Sequence, residues 1–217
     1  MDLHDPVSAG THLFTAAWAL YATLILLMLT RGHGYGRWAV GGYGLSMVLL
    51  YLASGLFHGV RHDTLESFQL FQKCDKSAIF LLISGSYLPI FVYLLNGAWR
   101  RWCLIAMGLI TAFGIASVWF WPSHPHSLLV GVYAGMGLLG LIPLPKYFPQ
   151  IGWSGMVWVG GLCVTYLGGA VVEVMRWPVL IPGWVGPHEL LHISDMGGTF
   201  IHFGFIVRYV IRRPPLA

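Results

Sequence analysis

The stretch His188-Glu189-Leu190-Leu191-His192, preceded by Gly186-Pro187, sets two imidazoles four residues apart. On a helix, residues at that spacing stand one turn above each other on the same face. Two imidazoles so placed can grip one metal ion from a single helix. They do not complete a zinc site, because catalytic zinc usually takes three protein ligands and leaves a fourth position for water. A third ligand must therefore come from elsewhere in the chain.

The composition sets the surroundings of that helix. Of 217 residues, 57% are hydrophobic and 9% are charged, and the mean hydropathy is +0.71. A soluble domain carries about 25% charged residues, so this chain cannot cover a globule with polar surface and belongs in a membrane. The formal net charge of +4 comes from basic residues separated by apolar runs. That pattern suits anionic lipid headgroups better than nucleic acid, for which no contiguous basic patch exists. Cys74, Cys103 and Cys163 lie in or beside apolar segments without close pairing, so neither a disulfide framework nor a cysteine zinc site is indicated. The opening MDLHDPVSAG is acidic and polar, unlike the basic start of a signal peptide, and the first apolar segment is expected to be retained as a span.

A helix needs roughly 20 apolar residues to cross the hydrocarbon. Seven stretches qualify: His12–Thr30, Trp38–His58, Asp75–Leu95, Trp102–Trp121, Leu128–Leu144, Trp153–Met175 and His188–Val207. The fifth is short and ends at Pro143 and Pro145. Trp38, Trp99, Trp102, Trp119, Trp121, Trp153, Trp177 and Trp184 gather near the ends of the stretches, as an interfacial aromatic belt would. The expected fold is an all-α integral membrane protein, a single seven-helix transmembrane domain over residues 1–217, with no internal repeat and no soluble domain.

Seven spans place the termini on opposite sides. On the N-terminal side, face one, fall the loops Gly59–Cys74, Pro122–Ser127 and Arg176–Pro187. His58 ends the second span on that face, with Ser54 one turn deeper on the same stripe. Asp75 opens the third span and His188 the seventh, again on face one. Ser54/His58, Asp75 and His188/His192 thus come from three helices at similar depth. If those helices are neighbours, three imidazoles and a carboxylate meet in one pocket, which satisfies the three-ligand requirement. Polar groups at that depth in an apolar protein are costly and usually functional.

These residues carry a resemblance. Asp5-Pro6-Val7-Ser8-Ala9 with Thr11-His12, Ser54-Gly55-Leu56-Phe57-His58-Gly59, Asp75-Lys76-Ser77-Ala78-Ile79-Phe80-Leu81-Leu82-Ile83 leading to Gly85-Ser86-Tyr87-Leu88-Pro89, and His188-Glu189-Leu190-Leu191-His192 with His202 run through the whole chain in order. The chain resembles hemolysin III–type members of the progestin and adiponectin receptor (PAQR) family, within a superfamily that includes alkaline ceramidases. The resemblance implies seven helices enclosing an intramembrane zinc ion held by His58, His188 and His192, with Asp75 and Ser54 near the bound water. Lys76 departs from the pattern, standing where bacterial members commonly have His. Asp195 departs too; seven residues beyond His188, it points within about 20° of the same direction. It reads equally as a carboxylate orienting His192 and as a cavity residue with no metal role.

The remaining polar residues read more plainly. His-Glu-x-x-His also spells the zincin motif, whose Glu is the general base, but in a membrane helix Glu189 points about 100° away from His188, and the protease reading is set aside. Ser54 has an alternative as a back-bond to its own helix. His202 lies about 21 Å along the helix from His188, too far for the same ion. Glu173 is expected to reach headgroups, and His33, His62, His124 and His126 to be solvated in loops.

The expected function is a zinc-dependent intramembrane hydrolase of a lipid amide or ester, ceramidase-like, with water activated by zinc as nucleophile, Asp75 as general base and Ser54 steadying the oxyanion or the water. Membrane lipid is the expected substrate or ligand, and no nucleic acid partner is expected. The alternatives are a non-enzymatic receptor or sensor with a structural zinc, or a hemolysin-like lytic protein, although no polar channel stripe is present. The expected location is the bacterial cytoplasmic membrane. Orientation stays open between two indications. Face two carries eight of the twelve Lys and Arg residues, which would place it inside. The adiponectin receptors that the chain resembles hold their metal on the cytoplasmic side, which would place face one inside.

Overall fold

Helix starts are written locally in the chain. Asp5 caps the first helix by accepting a hydrogen bond from the Ser8 N–H, with Pro6 at the first turn. Thr64 caps the third by accepting from Ser67 N–H. The Glu189 carboxylate folds back to accept from Gly186 N–H at 2.7 Å, with Pro187 at the first turn of the last helix. Such side-chain oxygens satisfy amide donors that a helix N-terminus leaves unpaired.

The computed structural model describes residues 5–121 and 125–216. Among them seven α-helices follow in order: α1 (Pro6–Leu29), α2 (Gly36–Gly59), α3 (Leu65–Leu94), α4 (Gly97–Phe120), α5 (His126–Leu139), α6 (Leu144–Met175) and α7 (Pro187–Phe205), the last extended by a π-helical turn, Ile206–Val210. Six of them, all but α5, are long and apolar enough to cross a membrane. The chain is an all-helical integral membrane protein.

Several boundaries differ from expectation: α1 begins at Pro6 rather than His12, and α4 at Gly97 rather than Trp102. The 14 residues of α5 reach about 21 Å at 1.5 Å per residue, short of the ~30 Å hydrocarbon core. The chain turns at Gly140–Pro143 instead of continuing to Leu144. α6 runs from Leu144, but Gly152, with a φ of 61°, breaks it into a short leading segment and a long helix that starts at Trp153, as expected. α3 begins at Leu65, well before Asp75, because the Thr64 cap starts the helix while the chain is still polar.

α3 is the hub. It packs on α2, α4, α5 and α6, and α1 closes the ring by touching both α2 and α7, which in turn packs on α6. The buried residues of α1, namely Ser8, Ala9, His12, Thr15, Ala16, Ala19, Ala22 and Leu26, recur at helical spacing as one stripe of mostly small side chains. Small residues let membrane helices approach closely, since lipid is as apolar as any side chain they could bury. Gly44 on α2 meets α1 so closely that an added Cβ would collide with Cγ2 and Oγ1 of Thr23. Gly44→Ala is expected to destabilise the fold by about 1–3 kcal/mol through overpacking, read as a lower melting temperature in detergent. An unchanged melting temperature contradicts this close approach. All eight tryptophans assigned to the aromatic belt are exposed, as lipid-facing anchors must be.

Candidate metal centre

Two helix ends meet at one end of the bundle. His58 lies in the last turn of α2, and His188 and His192 in the first turns of α7. One ring nitrogen from each of the three lies within 4.8 Å of the others. The Nε2 atoms of His188 and His192 are 3.0 Å apart, and the His58 ring centroid lies 5.2 Å from that of His188 and 4.9 Å from that of His192. Ligands on a tetrahedral zinc with bonds of 2.0–2.1 Å are separated by about 3.3 Å, so small ring rotations bring the three nitrogens onto one ion. His58 and His192 are buried, whereas His188 is partly open.

The donor set fits a metal on a second ground. Nε2 of His58 is buried without a hydrogen-bond partner, and a buried ring nitrogen left unpaired is costly. A cation shared by the three rings would satisfy it. The described residues therefore contain a buried group that could hold a metal ion.

Asp75 in α3 is half-buried, and the groups acting on its carboxyl are His58, Ser54, His188 and Lys76. Ser54 is buried, and its hydroxyl makes no bond to a helix carbonyl, so the back-bonded alternative is not what the structure adopts. The structure thus gathers Ser54, His58, Asp75, His188 and His192 at one end of the bundle.

Other expectations change. Glu173 does not reach out to headgroups: it is buried at the end of α6, with Oε1 2.8 Å from His126 Nε2 and 3.7 Å from an Arg176 guanidinium nitrogen, and Oε2 3.6 Å from His188 Nδ1. A carboxylate taken out of water requires such partners. His126 is accordingly paired rather than simply solvated. His62 is held by the Phe57 carbonyl at 2.9 Å and packs on Phe57, Phe68 and Phe71. His33 meets the Tyr93 hydroxyl at 3.1 Å. His124 lies outside the described residues. Asp195 does not orient His192; its carbonyl accepts from Tyr51, and His12 takes the place beside His192, Nε2 to Nδ1 at 2.7 Å. Glu189 caps its own helix, and His202 packs against Tyr43 away from the cluster.

Two residues in contact with the cluster had no role assigned from the sequence. His12 was visible as a polar residue within an apolar span. Asp5 caps α1, and the structure also sets its Oδ2 3.4 Å from His58 Nδ1 and its N–H on the His58 carbonyl at 3.1 Å. Burial alone would raise the Asp5 carboxyl, but the hydrogen bonds from His58 and Ser8 outweigh it and hold the group well below the usual carboxylate range. A cleft of about 290 Å³, lined by residues that include Asp5, Pro6, Trp184, Gly186 and Glu189, opens beside these groups.

A helical membrane protein with a buried three-histidine cluster at one end of its bundle is the class that fold and site define. The chain belongs to the Haemolysin-III related family, which it matches over residues 3–203. It is 30% identical to Hemolysin-3 of Bacillus cereus over 94% of this chain and 90% of that protein. It is 26% identical to a Hemolysin-3 homolog of Bacillus subtilis (strain 168), over 97% of this chain and 96% of that protein. It is also 28% identical to the adiponectin receptor protein of Drosophila melanogaster, over 75% of this chain and 40% of the receptor. The resemblance drawn from the motifs holds.

Proposed function

We propose that the protein is a zinc-dependent hydrolase of the bacterial cytoplasmic membrane, a seven-span bundle that cleaves an amide or ester bond of a membrane lipid. The observation that carries this reading is the meeting of three imidazoles with the Asp75 carboxylate and the buried Ser54 hydroxyl in one group. His58, His188 and His192 would hold the ion, and an all-nitrogen set of neutral imidazoles suits zinc. When bound, zinc acts as a Lewis acid and brings water to a pKa near ~7.

The protein's own groups supply the rest. Asp75 takes the proton of the attacking water and returns it to the leaving amine or alcohol. The Ser54 hydroxyl, with no competing bond to its helix, donates to the oxyanion formed at the lipid carbonyl. The exposed apolar side chains of the helices suit acyl chains, and a site near the end of a membrane-crossing helix suits an amide or ester at headgroup depth. The test is to reconstitute the full chain with zinc and measure fatty-acid release from vesicles carrying N-acyl and O-acyl lipids. Turnover of one lipid class is expected; bound zinc with no turnover of any class overturns the hydrolase reading.

The kinship with a protein named an adiponectin receptor supports a second reading, in which zinc staples α2 to α7 in a receptor or sensor. The two differ in what Asp75 does: a staple has no use for it, and a hydrolase cannot turn over without it.

A further inference from the structure

The Nδ1 atoms of all three clustered histidines each face a polar atom of a different residue. His58 Nδ1 lies 3.4 Å from Asp5 Oδ2, His188 Nδ1 lies 3.6 Å from Glu173 Oε2, and His192 Nδ1 lies 2.7 Å from His12 Nε2. We propose that Asp5, His12 and Glu173 are positioning residues of the metal centre, each holding one histidine as the tautomer that presents Nε2 to a shared zinc ion. The proposal rests on the three-histidine metal reading above and adds to it the groups that make that site bind tightly.

A ring nitrogen that donates its proton to an acceptor leaves the other nitrogen as a lone pair with fixed direction. A carboxylate acceptor also makes that lone pair more basic, and removing such partners typically lowers metal affinity about 10- to 100-fold. The arrangement is hard to explain as fold alone. Glu173 is 1% exposed, a costly place for a carboxylate. Its Oε1 is already served by His126 and Arg176, while Oε2 has no hydrogen-bond partner among the described residues and lies 3.6 Å from His188 Nδ1. Asp5 likewise divides its carboxylate: Oδ1 accepts from Ser8 N–H as the helix cap, and Oδ2 is left for His58. Two anionic partners also offset the charge of a divalent ion where water is scarce.

The division of labour at Asp5 makes the test clean. Asn caps a helix as well as Asp, so Asp5→Asn keeps the cap and removes the charge facing His58. Glu173→Gln does the same for His188 on an unrelated helix. Zinc affinity of the detergent-purified full chain is measured by chelator competition, and the ligand-field absorption of the cobalt-substituted protein reports the donors directly. Each variant is expected to lose about 10- to 100-fold in zinc affinity, to shift the cobalt band, and to leave the metal-free melting temperature unchanged. The double variant is expected to lose close to the product, because the two act on different histidines. If Glu173→Gln unsettles the metal-free fold, Asp5→Asn decides alone. Affinities within twofold of the unmodified chain, with an unmoved cobalt band, overturn the positioning role and leave the three-histidine site standing. An unmodified chain that takes up no zinc overturns both.

Discussion

Replacing His192 with alanine is expected to take bound zinc from about one ion per chain to below about a tenth, because two remaining imidazoles fall short of the three ligands zinc requires. Zinc binding free energies of ~10–16 kcal/mol, shared over four ligands, make one imidazole worth about 3 kcal/mol, a loss of more than about 100-fold. His192 is the sharpest choice of the three. It is buried, it meets His188 at 3.0 Å through Nε2 and His12 at 2.7 Å through Nδ1, and it has no capping duty in α7. Zinc measured by mass spectrometry against protein concentration checks the expectation. Zinc retained at full stoichiometry by His192→Ala places the ion elsewhere.

Asp75→Asn is expected to keep both fold and zinc and to lower lipid turnover by about 10²- to 10⁴-fold, the range for losing a general base. The amide fills the same space beside Ser54, His58 and His188 but cannot take a proton. Fatty-acid release at saturating lipid, with zinc content and melting temperature measured on the same sample, separates the two readings. A structural zinc predicts the reverse pattern, in which Asp75→Asn is silent and His58→Ala unfolds the bundle. Unchanged turnover in Asp75→Asn removes this residue from the chemistry.

Much of the metal cluster was legible in the sequence because it is written in periodicity. His188 and His192 share a helix face by spacing alone, and Ser54 and His58 do likewise on α2. The depth of each within its apolar run placed both pairs and Asp75 on the same face. The groups that brace the cluster were not legible in that way. Whether Asp5 meets His58, His12 meets His192, or Glu173 meets His188 depends on which helices are neighbours, and α1 beside α7 and α6 beside α7 leave no trace in hydropathy. Glu173 shows the error that follows: a carboxylate near a helix end reads as solvent-facing until the helix across from it is known to carry an imidazole. Asp195 shows the converse, since angular register with His188 suggested a contact with His192 that His12 occupies instead.

The helix boundaries divide in the same manner. Apolar runs located the interior of each helix, but local chemistry set its ends. Thr64 and Ser67 start α3 within polar sequence that a hydropathy reading assigns to a loop. Gly140 and Pro143 end the short α5, and Gly152 interrupts α6 at a kink. None of these shifts separates His58, His188 and His192, whose ring nitrogens stay within 4.8 Å of one another.

The most direct measurement of the central claim is the metal content of the purified full chain, joined to X-ray absorption at the zinc edge. The claim predicts about one zinc per chain, coordinated by three imidazole nitrogens at about 2.0–2.1 Å. A chain that is purified without metal and takes up no zinc on titration contradicts it.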